Sequence, residues 1–180
     1  MKKDSSTEEK ILQAGRQLFS KSGYVGTSMA DIAKETGITK AALYYFFKNK
    51  QALYIRILSE LIDRASAIYD VDPTSDPQKA LKKTILDVVA VSMEYGSMLE
   101  TIDPSQLDTK ADDFKVIVEK QIDYDKKVQS FLKQCGIKDT KLASHTLGAS
   151  THGYIQRVLF GIKDISAEKY ASYMSELLLR

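Results

Sequence analysis

Thr27 to Lys50 reads TSMADIAKETGITKAALYYFFKNK, and its spacing predicts two short helices joined by a tight glycine turn. Ile32 and Ala33 mark the buried side of the first helix, and Thr27 or Ser28 stands where a helix start is capped. Ala33 is small where the two helices come closest. Gly37 supplies the left-handed conformation that ends a helix abruptly. Ile38 then plugs the corner, and Thr39 caps the second helix. Leu43, Phe46 and Phe47 fall at helical spacing and are expected to face inward. Lys40, Ala41, Tyr44, Tyr45 and Lys48 remain outward at offsets 0, +1, +4, +5 and +8, which form one stripe on a helix.

The chemistry of that stripe points to nucleic acid. Thr36 to Ala52 contains no Asp or Glu, yet Lys40, Lys48 and Lys50 all lie within it. Phosphate oxygens bind such donors and are repelled by carboxylates. A helix face that only meets water has no need of two adjacent tyrosines. The alternative from another class is a helical adaptor that binds protein through the same head. It predicts no DNA affinity and little salt dependence.

Composition fits a DNA-binding head on a different body. The 180-residue chain has formal charge +2, but residues 1–56 carry ten Lys/Arg against five Asp/Glu, while 57–180 carry 16 against 19. A basic end and a mildly acidic remainder suit DNA at one end and something else at the other. Three prolines, nine glycines and no sustained alternation of apolar residues argue against a sheet. No apolar run approaches the roughly 18–20 residues of a membrane span. MKKDSSTEEK has no apolar signal core, so a cytoplasmic protein is expected. The single Cys135 excludes an intrachain disulfide and reads as a packed thiol.

Outward from the quoted stretch, an all-α chain of nine helices is expected, divided into a head at 1–50 and a body at 51–180. Ser5 or Ser6, with Glu8 or Glu9 three residues on, offers a capping box for the leading helix. Its inner face is Ile11, Leu12, Gly15, Leu18 and Phe19. Asn49 caps a long helix in which Leu53, Ile57, Leu58, Leu61, Ile62, Ala65 and Ile68 repeat at threes and fours. DVDPTSDP at 70–77 is the clearest break, with Asp76 as cap and Pro77 in the first helical position. A helix then runs to about Tyr95, and a short helix and loop cover Ser97 to Thr109. Further helices follow at about 112–134, 140–161 and after Ser166.

From about Thr7 to Leu53 the chain resembles the TetR-type bacterial transcriptional regulators. The likeness is carried by ILQAGRQLFSKSGYVGTSMADIAKETGI followed by TKAALYYFFKNKQALY. A Gly-Tyr corner, Thr-Ser before Met, Asp-Ile-Ala, Gly-Ile, Leu-Tyr-Tyr and Lys-Asn-Lys stand in family order, which is far more specific than a generic helix-turn-helix pattern. The resemblance implies that Thr27, Ser28, Tyr44 and Lys50 hold phosphates, while Lys40, Ala41 and Tyr45 meet base edges. Thr39 and Lys48 complete the expected DNA-facing set. The chain departs from the family at Phe46, often histidine, and at Ala41–Ala42, often Gly-Thr. Base specificity is therefore expected to rest mainly on Lys40 and Tyr45.

The resemblance also implies a ligand-responsive repressor that binds palindromic operator DNA as a homodimer and is released by a small-molecule inducer. A lone helix-turn-helix reads too few base pairs for useful specificity, so dimers are usual. The last two helices would build a four-helix bundle with their symmetry mates. Gly148, Tyr154, Ile155, Val158, Leu159, Tyr170, Tyr173, Met174 and Leu177 are the interface candidates. Met93, Tyr95, Met98, Leu99, Phe114, Tyr124 and Tyr154 are the soft or aromatic candidates for lining a pocket for a largely apolar effector. No cofactor or metal is expected. His145 and His152 are two turns apart, about 10.5 Å along a helix, too far to clasp one ion easily. The sequence also shows no nucleophile–base pair, HExxH or glycine-rich phosphate loop, so no enzyme is expected.

Overall fold

The computed structural model describes residues 5–95, 98 and 104–180. These form eight α-helices: α1 Ser5–Ser22, α2 Met29–Thr36, α3 Lys40–Phe46, α4 Lys50–Ala67, α5 Pro77–Glu94, α6 Asp112–Gln134, α7 Thr140–Leu159 and α8 Ala167–Leu178. No strand occurs among the described residues. Nine helices were expected. In the stretch 97–109, where a ninth, short helix was expected, the described residues hold 3-10 structure at Met98 and a 3-10 turn at Pro104–Gln106. Leu99 lies outside the described residues.

The helix ends follow their local chemistry. Ser28, rather than Thr27, caps α2: its Oγ accepts from the Asp31 N–H at 3.2 Å, and Asp31 Oδ2 accepts from the Ser28 N–H at 3.0 Å. Gly37 closes α2 at φ 69°. There its N–H reaches Lys34 O and the Ile38 N–H reaches Ala33 O, the paired bonds that satisfy a helix's last carbonyls. Thr39 caps α3 by accepting from the Ala42 N–H at 3.1 Å. Asn49 caps α4 through Ala52, and Asp76 caps α5 through Lys79, with Pro77 first in the helix.

The chain divides into two compact units. One contains the residues up to Leu61 together with Tyr95–Glu119; the other contains Ile62–Glu94 and Lys120–Arg180. In the first unit, Ile11, Leu12, Phe19, Ile32, Leu43, Leu53, Tyr54 and Ile57 are all but inaccessible. Each contributes roughly 1.5–3 kcal/mol of burial free energy relative to exposure. Gly15 lets α1 approach α4, since a Cβ there would stand 2.9 Å from Ile57 Cδ1. Tyr54 meets the rings of Phe19 and Tyr24 edge-on at 4.9 Å each, and its hydroxyl donates to Met98 O at 2.8 Å.

The second unit has its own core. Tyr69, Leu81, Ile85, Val89, Val128, Phe131, Leu132, Ala143, Leu147, Ala171 and Met174 pack together, and α5 lies against both α7 and α8. Cys135 belongs to this core, and burial pushes its thiol up to about 11. Along α6, Val128, Phe131 and Leu132 are buried, whereas Val118 and Ile122 stay exposed. His145 and His152 are both exposed on α7, so neither is a core histidine.

Candidate nucleic-acid interface

The α2–turn–α3 hairpin presents its outer stripe to solvent. Lys40, Ala41, Tyr44, Tyr45 and Lys48 are all exposed, with Tyr44 at 50% and Tyr45 at 46%. Leu43 and Phe47 hold the helix to the unit's core. Phe46, expected inward, is only half-buried and lies edge-on to Tyr45 at 5.5 Å. That contact limits where the Tyr45 ring can swing. An open depression of about 420 Å³ adjoins the stripe, lined by Val25, Thr27, Ser28, Met29, Ala30, Lys40, Tyr44 and Lys50. It brings the capped start of α2 beside two lysines and a phenol, the donor types that hold a phosphate.

Two residues expected to grip phosphate are turned to other work. Thr27 is buried, and its hydroxyl lies 2.9 Å from Gly23 O and 3.1 Å from Leu18 O, so it ties down the end of α1. Lys50 Nζ donates to Tyr24 O at 2.7 Å and Thr27 O at 3.0 Å and lies over the Tyr24 ring, 4.2 Å from its centroid. This ammonium caps carbonyls at the α1–α2 corner, and burial lowers its pKa from the ordinary lysine value. Sequence spacing cannot reveal this, because Tyr24 and Thr27 precede Lys50 by more than twenty residues. Ser28 is exposed, but its hydroxyl donates to Asp31 Oδ2 at 2.6 Å, and the Ser28 bonds hold the Asp31 carboxyl below its ordinary value.

Lys48, expected on the helix at offset +8, lies two residues beyond the end of α3 and meets a carboxylate from elsewhere in the first unit. Its Nζ lies 3.7 Å from Asp113 Oδ2, at the start of α6. Asp113 is held in turn by Gln51, whose Nε2 donates to Asp113 Oδ1 and to Asp108 O, each at 3.1 Å, while Gln51 Oε1 accepts from the Asp108 N–H at 2.7 Å. Gln51, Asp108 and Asp113 were not among the expected site residues. No local signal marks them, since Gln51 reads as one more polar position at a helix start. Val25, at the edge of the depression and 71% exposed, is a further missed neighbour. Its only sequence signal is an apolar residue in a glycine-flanked corner.

The other expected sites are dispersed. Of the effector candidates, Tyr95, Met98 and Phe114 belong to the first unit, and Met93, Tyr124 and Tyr154 to the second. Tyr95 and Met98 are fully buried. Tyr124 lies edge-on to Tyr69 at 5.7 Å, and Tyr154 stacks on Tyr170 at 4.4 Å. Of the interface candidates, Ile155, Tyr170 and Met174 are buried within their own unit, because α5 already covers that side of α7 and α8. Val158 and Leu159 are half-buried, whereas Gly148, Tyr173 and Leu177 are exposed. Phe160, Ile162 and Leu142 are exposed apolar residues not expected there.

Residues 11–57 match the family model described as bacterial regulatory proteins, tetR family. An HTH-type transcriptional regulator of Bacillus subtilis strain 168, YuxN, is 31% identical over 111 residues, 55% of this chain and 38% of that protein. The chain thus spans well under half the length of that curated relative. The fold is shared with NalD, the secondary repressor of the MexAB-OprM multidrug efflux pump in Pseudomonas aeruginosa. That likeness has TM-score 0.68 and 20% identity and covers 97% of this chain and 94% of NalD. AibR, solved in complex with isovaleryl coenzyme A and operator DNA, is similar with TM-score 0.70 and 19% identity over 96% of this chain and 98% of its own. Residues 11–57 thus carry the helix-turn-helix sequence of the tetR-type bacterial regulatory proteins, and the chain shares the fold of solved regulators such as NalD and AibR.

Proposed function

We propose that the protein is a ligand-responsive transcriptional repressor that binds palindromic operator DNA as a homodimer and leaves it when a small, largely apolar molecule binds. The observation that carries this reading is the exposed stripe of α3 beside the depression at the start of α2. Lys40 and Tyr45 are the base-reading candidates, with the Ala41 methyl available to a thymine methyl. Tyr44 and the α2 N-terminus serve as phosphate contacts. The repressor NalD and the operator-bound AibR, which share the fold, support repression and DNA binding here.

Dimerisation is supported by apolar surface on the second unit. Phe160 at 75% exposure and Tyr173 at 64% are the most exposed of the large apolar side chains on or beside α7 and α8, with Leu142, Ile162 and Leu177 also exposed. Gly148 has nothing within 4 Å of a Cβ position, which leaves room for a close partner helix. For the effector, the best-supported candidates are the half-buried Met93 and Tyr124 against the second unit's core. A ligand there would act by shifting α4 and so the separation of two recognition helices. Selection of bound duplexes from a random pool tests the DNA reading and the dimer together. A palindrome with half-sites about one helical turn apart is expected. Absence of salt-sensitive duplex binding would leave the protein-binding adaptor as the better reading.

A further inference from the structure

We propose that Asp113 is an internal competitor for operator phosphates: it holds Lys48 of the DNA-facing stripe and so sets how tightly the head binds DNA. The inference rests on the DNA-binding reading above and adds a negative determinant to it. Three observations support it. The Lys48 side chain is 65% exposed while that of Asp113 is 17% exposed, so the lysine reaches a carboxylate that is set in the protein. At 3.7 Å the pair is an ion pair without a hydrogen bond, and Asp113 Oδ2 is buried with no hydrogen-bond partner. A phosphate oxygen can offer Lys48 the shorter, charge-assisted bond that Asp113 does not.

The carboxylate's position is enforced, not incidental. Gln51 is 8% exposed and grips both Asp113 Oδ1 and the backbone of Asp108, pinning the first turn of α6 beside the end of the hairpin. The Asp113 charge also reaches Tyr24, whose phenol is raised by burial and then by this carboxylate. When a phosphate takes Lys48, Asp113 is left without its counter-charge. The lysine therefore contributes little net affinity while Asp113 is ionised, and contributes in full once that charge is removed.

The test is a double-mutant cycle on the full-length protein, read by anisotropy of a fluorescent mixed-sequence duplex, since phosphate contacts do not require the operator. Asp113→Asn keeps the Oδ1 acceptor for Gln51 and removes only the charge. It should tighten binding and steepen the salt slope by up to about 0.9, so that its advantage grows about 3.5-fold for a fourfold fall in salt. In a Lys48→Ala background the same change should lose most of its effect. Should Asp113→Asn fold poorly by thermal unfolding, Asp113→Ser removes the same charge and gives the same slope readout. An unchanged slope, or an equal gain with and without Lys48, overturns the inference while leaving DNA binding intact. Failure of the wild-type protein to bind duplex at all removes the DNA-binding reading and this inference together.

Discussion

Lys40 and Lys50 bracket α3 and do different work, which separate measurements can distinguish. Lys40 is exposed at the start of α3, the position from which the proposed function has it reach base edges. Lys40→Ala should change which duplexes are selected, at about 1–3 kcal/mol of discrimination for a lost guanine contact. Lys50 is committed to two carbonyls and a ring. Lys50→Met should lower unfolding stability by roughly 1–3 kcal/mol, the worth of hydrogen bonds to a charged group. The salt slope of duplex binding should barely move; a slope flattened by a full contact would restore Lys50 to the phosphate set. Cys135 carries a third prediction at this scale. Burial and a thiol pKa near 11 should leave it inert to thiol reagents at neutral pH until the protein unfolds.

At the scale of elements, the hairpin depends on how α2 ends. Gly37 stands at φ 69° with open space around a Cβ position, so the obstacle to a side chain there is backbone strain and not crowding. Gly37→Ala should cost about 1–2 kcal/mol in urea unfolding. DNA binding of the folded fraction should survive, since the turn geometry is otherwise satisfied by the Gly37 and Ile38 N–H groups. The caps and breaks were legible in sequence because they are local: Ser28, Thr39, Asn49 and Asp76 each bond a backbone N–H three residues on. Half-buried Phe46 was not legible, because a short helix with aromatic neighbours on both sides has more apolar surface than its core can cover.

At the scale of the whole molecule, the issue is which apolar surface is left after the subunit has packed its own core. The α7 and α8 sequences contain more apolar residues than α5 can cover, and Phe160 and Tyr173 are the most exposed of them. Phe160→Asp with Tyr173→Asp should shift sedimentation from dimer to monomer and weaken binding to a palindromic duplex far more than to a half-site. If the doubly substituted protein still sediments as a dimer, the proposed face is the wrong one. Ile155, Tyr170 and Met174 had the right residue types and helical spacing for that face. Tyr170 nevertheless turns inward, where its hydroxyl lies 3.0 Å from Thr151 Oγ1.

By itself, the sequence determined the all-helical class, the hairpin with its caps, and the outward stripe of α3. These follow from 3.6-residue periodicity and from hydrogen bonds that span a few residues. Tertiary structure decided what each polar or apolar side chain does with its remaining surface. It turned Lys50 into a carbonyl cap, buried Thr27, brought Asp113 from 65 residues away to Lys48, and sorted the last two helices into core and exposed face. The physical reason is that charge pairing and burial depend on distance in space. Within Thr27 to Lys50, spacing could place a lysine on the exposed side but could not show which carboxylate would meet it there.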